Sequence, residues 1–256
     1  MPIKKILIIP SNAQSYPFIK ASGPDGDKTV EQYSGLHLQK LAKPLQKLLD
    51  AGHEVTFASL KGREPKSDSN SETLNVFAGN FYESQHEQDL VERMRRENGL
   101  SRPRPFSTIS DNELTTFTGL FIPGGHAPLL NLDANAEIGR IMRYFHKENK
   151  PTAVICHGLF ALLSTKQAGD RSFVYAGYKI SSCSNTEKKA EELLWGGQVE
   201  KVESRLRDEG AIMVDSAPER TYGMTLHREL LTGCNLLAVN AFADQFLTMI
   251  SNYGAS

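Results

Sequence analysis

A thiol placed to act as a nucleophile stands at position 156. The apolar, β-branched run Thr152-Ala153-Val154-Ile155 ends at Cys156-His157-Gly158, and the apolar run Leu159-Phe160-Ala161-Leu162-Leu163 follows. That order predicts a buried strand, a sharp turn and a helix start, with the thiol at the corner. A side chain so placed points out of the carboxyl edge of a sheet. It lies beside helix N–H groups that favour a thiolate. Gly158 supplies the small residue that a crowded turn needs. His157, next to the thiol, can act as acid or base. The same residues also read as a core Cys that merely ends a strand, because free Cys is commonly buried.

A second stretch bears on the same chemistry. Pro123-Gly124-Gly125-His126-Ala127-Pro128 follows an apolar run at 119–122. The paired Gly124 and Gly125 let backbone N–H groups approach a ligand closely. Such groups can hold the oxyanion of a tetrahedral adduct, an effect worth about 3 kcal/mol per donor. A tight turn without a ligand is the other reading. His126 adds an imidazole to this loop.

The elements that must position these residues follow from the apolar pattern. Residues 5–9 form a continuous apolar strand, and 11–34, rich in Pro and Gly, reads as a long loop at its carboxyl end. Residues 36–51 form a helix with Leu38, Leu41, Ala42, Leu45, Leu48 and Leu49 on one face and Gly52 as its stop. Pro44 inside it should produce a kink. Residues 53–59 form a strand. The stretch from about 60 to 112 breaks the rhythm: it is polar, holds a charged helix at 87–98, and reads as an insertion or lid within a single domain spanning 1–256. A strand at 119–122, a helix at 135–149 and the strand at 151–155 lead to the elbow. Beyond it come one or two short strands within 174–182, helices at 187–195 and 199–207, strands at 211–214 and 230–232, and a closing helix at 240–251. Strands alternating with helices imply an α/β fold, a mostly parallel sheet covered by helices on both faces. The loops after the first strand, at 123–128 and at Cys156 should meet at its carboxyl edge.

Composition narrows the partners. Lys and Arg total 29 against 30 Asp and Glu, a net charge of −1. No basic excess points to nucleic acid or to an anionic membrane. Three Cys, at 156, 183 and 234, are too few and too spread for a disulfide framework, and none has metal-ligand spacing with a neighbour. No metal or cofactor is expected. No apolar stretch reaches the roughly 20 residues of a membrane span, and the apolar run before Pro10 is too short for a secretion signal. A cytoplasmic location follows as the expectation.

Two motifs together carry a resemblance. Phe121-Ile122-Pro123-Gly124-Gly125-His126-Ala127-Pro128 and, some thirty residues on, Ala153-Val154-Ile155-Cys156-His157-Gly158 resemble the ThiJ/PfpI superfamily, also called DJ-one/PfpI. Its fold is similar to class I glutamine amidotransferases. The long first loop, the insertion, Ser34-Gly35-Leu36, Leu41-Ala42-Lys43-Pro44 and Asp50-Ala51-Gly52-His53-Glu54-Val55 are similar to its branch of heat-shock-protein-thirty-one-like chaperones and glutathione-independent glyoxalases. Leu231-Thr232-Gly233 also fits. The resemblance covers about residues 3–250.

The resemblance implies a flavodoxin-like three-layer sandwich, a homodimer, and a Cys nucleophile with a neighbouring His. In the glyoxalase branch the thiolate adds to the aldehyde of methylglyoxal, and a Glu four residues before the helix Pro moves protons on the way to lactate. Cys156 and His157 match that pattern, and Glu187 matches a downstream acidic position that supports the His. The helix position departs from it: four residues before Pro44 stands Lys40, preceded by Gln39. An ammonium favours a thiolate but lacks the carboxylate's basicity, and Gln39 could hydrogen-bond a substrate. Two functions are therefore expected as alternatives. One is a Cys-dependent lyase or hydrolase of small carbonyl or amide compounds, glyoxalase III-like. The other is a non-enzymatic stress-response protein, a holding chaperone or thiol redox sensor.

Overall fold

The computed structural model describes residues 2–20, 28–73, 79–124, 132–166, 172–182, 197–198, 201–214, 223–234 and 238–254. Its central layer is built from the apolar runs. Strands β1 (Lys5–Ile8), β4 (Glu54–Ser59), β6 (Phe117–Ile122) and β7 (Thr152–Ile155) pair in parallel, with the short β5 (Arg104–Pro105) beyond β4. β12 (Leu230–Gly233) runs parallel to β7, and β11 (Met224–His227) closes that edge antiparallel to it. The order is β11-β12-β7-β6-β1-β4-β5.

The inner strands β1, β6 and β7 are largely apolar because both their faces are covered. Neighbouring residues divide between two cores. Ile6, Ile8, Phe121, Ala153 and Ile155 pack on one side, against α1 (Leu38–Asp50), α2 (Phe81–Glu97) and α7 (Val239–Asn252). Leu7, Ile9, Leu120, Ile122 and Val154 pack on the other. There they meet α4 (Ala136–Lys147), α5 (Phe160–Leu163) and α6 (Val202–Asp208). A fourth short helix, α3 (Asp111–Leu114), joins this second side through Leu114. This is the three-layer α/β sandwich expected from the alternating pattern. Each fully buried Leu, Ile or Phe contributes about 1.5–3 kcal/mol.

One expectation needs correction. The stretch at 11–34 is not simply a loop: β2 (Ser15–Lys20) and β3 (Lys28–Tyr33) pair antiparallel, and β9 (Gly197–Gln198) adds to β2. Tyr16 and Phe18 are buried two residues apart, a strand's period hidden among polar neighbours. Pro17 is tolerated because β9 reaches β2 only at Ile19 and Lys20. Of the one or two short strands expected within 174–182, one is present, β8 (Lys179–Ile180), paired with β10 (Ile212–Met213); residues before it form turns. The elbow has the expected order of strand, turn and helix start: a 3-10 turn, Cys156–Leu159, leads into the four residues of α5. The helix expected at 187–195 lies outside the described residues. Pro44 stands inside α1, which continues to Asp50. Its missing N–H leaves the Lys40 carbonyl without the usual helical bond.

Candidate active site

Because β1, β6 and β7 are parallel neighbours, the segments that leave them emerge at one edge. Cys156 comes directly after β7, with φ 58°. That left-handed conformation is uncommon for a residue with a Cβ and is a mark of constrained functional turns. It turns the thiol out of the strand's alternation at the point where β7 ends. Cys156 is 4% exposed and is a free cysteine, whereas Cys234 is in a disulfide. The spacing of the three cysteines does not predict this disulfide at Cys234.

The turn is held by close backbone approach. A Cβ at Gly124 would lie 2.5 Å from the Cys156 Cβ and 2.7 Å from the Ile155 carbonyl oxygen. A Cβ at Gly158 would lie 2.9 Å from the Ile122 oxygen and 3.0 Å from that of Pro123. Both glycines are therefore required by space: the loop after β6 and the turn after β7 interlock there. His157 is 2% exposed, stacks on Phe160 at 9° between ring planes, and places Nδ1 3.4 Å from the Cys156 sulfur.

α1 brings the third group. Its first residues have no side-chain cap of their own. Instead the His37 N–H donates to the Gly124 carbonyl at 3.1 Å, and the Leu38 N–H donates to Ser71 Oγ at 3.0 Å. The helix start is thus fastened to the loop that packs on Cys156. One turn on, Lys40, 8% exposed, donates from Nζ to the Cys156 sulfur at 3.0 Å. An ammonium at this distance from a buried sulfur favours the thiolate, and each ion supplies the counter-charge that burial of the other requires.

Cys156, His157, Lys40, Gly124 and Gly158 therefore come together. Gln39 is buried on the same helix, but one residue earlier, so it is turned by about 100° from Lys40. Gly125, His126 and Glu187 lie outside the described residues. Among the described residues no cluster of three His, Cys, Asp or Glu could hold a metal ion. No described helix is long and apolar enough to cross a membrane.

One charged cluster beside the site was not picked out from the sequence. Lys43, one turn after Lys40, pairs with Glu83 and, at 3.5 Å, with Glu87, both on α2. Glu87 is buried, and its Oε2 has no hydrogen-bond partner among the described residues. Burial pushes its carboxyl up to about 7, with the Glu83 charge adding to the rise and Lys43 opposing it. The available signal was the i,i+4 spacing of Glu83 and Glu87 on one helical face.

Comparison with known proteins shows what the chain as a whole is similar to. The glutathione-independent glyoxalase hsp3101 of Schizosaccharomyces pombe is 26% identical over 252 residues, covering 94% of this chain and 93% of that protein. The protein/nucleic acid deglycase HchA of Staphylococcus aureus is 24% identical over 230 residues, covering 86% of this chain and 74% of that protein. The crystal structure of glyoxalase III from Candida albicans superposes with a TM-score of 0.71 at 16% identity, over 96% of this chain and 97% of that one. That likeness establishes the flavodoxin-like fold. The profile described as ThiJ/PfpI family-like matches residues 32–186, a span that holds Lys40, Gly124 and the Cys156 elbow. The chain belongs to the ThiJ/PfpI family.

Proposed function

We infer that the protein is a Cys-dependent enzyme of small carbonyl compounds, and that α-oxoaldehydes such as methylglyoxal are its substrate class. The observation that carries this reading is the buried contact between Lys40 Nζ and Cys156 Sγ. It supplies both a ready nucleophile and a proton beside it. The relatives named for glyoxalase and deglycase activity support the class of substrate.

In the first step the thiolate adds to the aldehyde carbon, a C–S bond forms, and the carbonyl electron pair moves to oxygen. That oxygen takes a proton from the Lys40 ammonium. That transfer leaves the Lys40 amine beside the carbon that now bears sulfur. The amine can then accept the proton from the carbon that bears sulfur. The released electrons move onto the neighbouring carbonyl oxygen and give an enediolate; return of the carbon-derived proton to the second carbon, with the hydroxyl proton passing from the first oxygen to the second, gives a hydroxy thioester. Water, activated by His157, cleaves the thioester to the hydroxy acid and restores the thiol. Lys40 thus carries the proton that a Glu carries in the pattern the chain resembles.

The test follows lactate formed from methylglyoxal. Wild type is expected to turn over and Cys156→Ser to be inactive. Lys40→Met is expected to lose about 100-fold or more in kcat, the ordinary worth of a positioned acid–base group. Absence of lactate with wild type would overturn the reading.

A further inference from the structure

We propose that peroxide converts the contact between Lys40 and Cys156 into a covalent sulfenamide bridge, a reversible modification that closes the site before the sulfur is oxidised further. The proposal shares the Cys156 thiolate with the function above but does not depend on turnover.

Geometry supplies the reactants. The nitrogen stands 3.0 Å from the sulfur, and both side chains are nine-tenths or more buried. A molecule the size of hydrogen peroxide reaches such a sulfur far more readily than a bulky thiol does. Cys234 is already in a disulfide, so it does not offer a free thiol to resolve an oxidised Cys156. A nitrogen nucleophile is at hand instead.

The steps balance. The thiolate attacks one peroxide oxygen, the O–O bond breaks, and the sulfur becomes a sulfenic acid, oxidised by two electrons. The departing hydroxide takes the proton of the Lys40 ammonium and leaves as water. Hydroxide is a far stronger base than an alkyl amine, so this transfer runs downhill. The neutral amine then attacks the sulfur. An S–N bond forms, the S–O bond breaks, and the hydroxyl leaves as water with a proton from the amine, passed through His157 Nδ1, 3.4 Å from the sulfur. The net change is one peroxide consumed, two waters formed and two hydrogens lost from the protein. Sulfenic acids are known to condense with nitrogen in this way. The bridge depends on the amine of Lys40: a carboxylic acid at this position has no nitrogen to attack the sulfur.

The experiment needs no substrate. Purified protein is treated with limited hydrogen peroxide and analysed by intact mass and peptide mapping, with Cys156→Ser as the baseline. The expected product is two hydrogens lighter, with the peptides containing Lys40 and Cys156 joined, and dithiothreitol restores the original mass. Lys40→Arg keeps the cation but removes the attacking amine, so its sulfur should become labelled by dimedone while that of wild type does not. Dimedone labelling of wild type equal to that of Lys40→Arg would overturn the proposal. So would a product two oxygens heavier without joined peptides. The wild-type mass decides the matter even if the Arg variant fails to fold. Because lactate plays no part, loss of the bridge and loss of the enzymatic function would be told apart.

Discussion

Cys156 holds a left-handed φ of 58°, which costs about 1–3 kcal/mol for a residue of its type. The surrounding glycines make that conformation usable. Gly124 leaves no room for a methyl group, since its nearest neighbours include the Ile155 carbonyl, which cannot rotate away. Gly124→Ala should therefore move the elbow relative to Lys40. It should lower stability by about 1–3 kcal/mol and lower methylglyoxal turnover about 100-fold. Calorimetry and the lactate assay check it; unchanged values of both would mean the loop shifts without disturbing the thiol. At this scale the sequence was informative. Cys156, His157 and Gly158 announce the turn by their order after an apolar run, and counting back from Pro44 reaches Lys40. The contact itself was not legible. It depends on main-chain bonds between residues far apart in the chain, such as His37 to Gly124, which leave no mark on residue type.

Between elements, the packing of α2 on α1 contains a pH-sensitive pair. Glu87 meets Lys43 from α1 and Glu83 from its own helix. With its carboxyl raised from 4.5 to about 7, the folded state binds a proton more tightly than the unfolded chain does. The neutral carboxyl's contribution is thus fully present below pH 4.5 and is lost as pH rises toward 7. Glu87→Gln should remove that slope and raise stability above pH 7 by about 1–2 kcal/mol. Melting temperature measured across pH 4–8 reads this directly; a variant that keeps the wild-type slope would reject Glu87 as its source. The sequence placed a charged helix here but started it at 87, whereas it begins at Phe81. Phe81 and Tyr82 are exposed, so no apolar periodicity marks the first turn. Likewise β11 escaped notice because its residues are half-exposed on a sheet edge.

Across the whole molecule, the reactive edge is opposed by a polar network at the other end of the sheet. Glu229 immediately precedes β12, and its carbonyl accepts from the Thr152 N–H, where β7 begins. Its buried carboxylate accepts from Tyr178 at 3.0 and 3.1 Å and pairs with His146 of α4 at 2.7 Å. Burial alone would raise this carboxyl, but the hydrogen bonds from His146 and Tyr178 and the attraction of His146 hold it below its ordinary 4.5. A lowered carboxyl contributes stability above that value and loses it as pH falls further. Glu229→Gln should cost about 1–3 kcal/mol at neutral pH, with the deficit shrinking in acid. Urea titrations at pH 7 and pH 3 check this; equal deficits at both would contradict an ionised Glu229. The layered fold was legible because β1, β6 and β7 are largely apolar. The strand order and the β2–β3 hairpin were not, since pairing partners are chosen by packing across the chain.

The bond from the His37 N–H to the Gly124 carbonyl has a consequence for engineering. It joins two backbones, so it persists whatever side chains stand at the reactive corner. Position 40 is carried on the next turn of that fastened helix and is aimed at the sulfur by the frame alone. The fold works as a socket: an amine, an amide or a carboxylate inserted at position 40 would be presented to the same thiol from the same direction. One substitution then exchanges the chemistry while the scaffold stays in place.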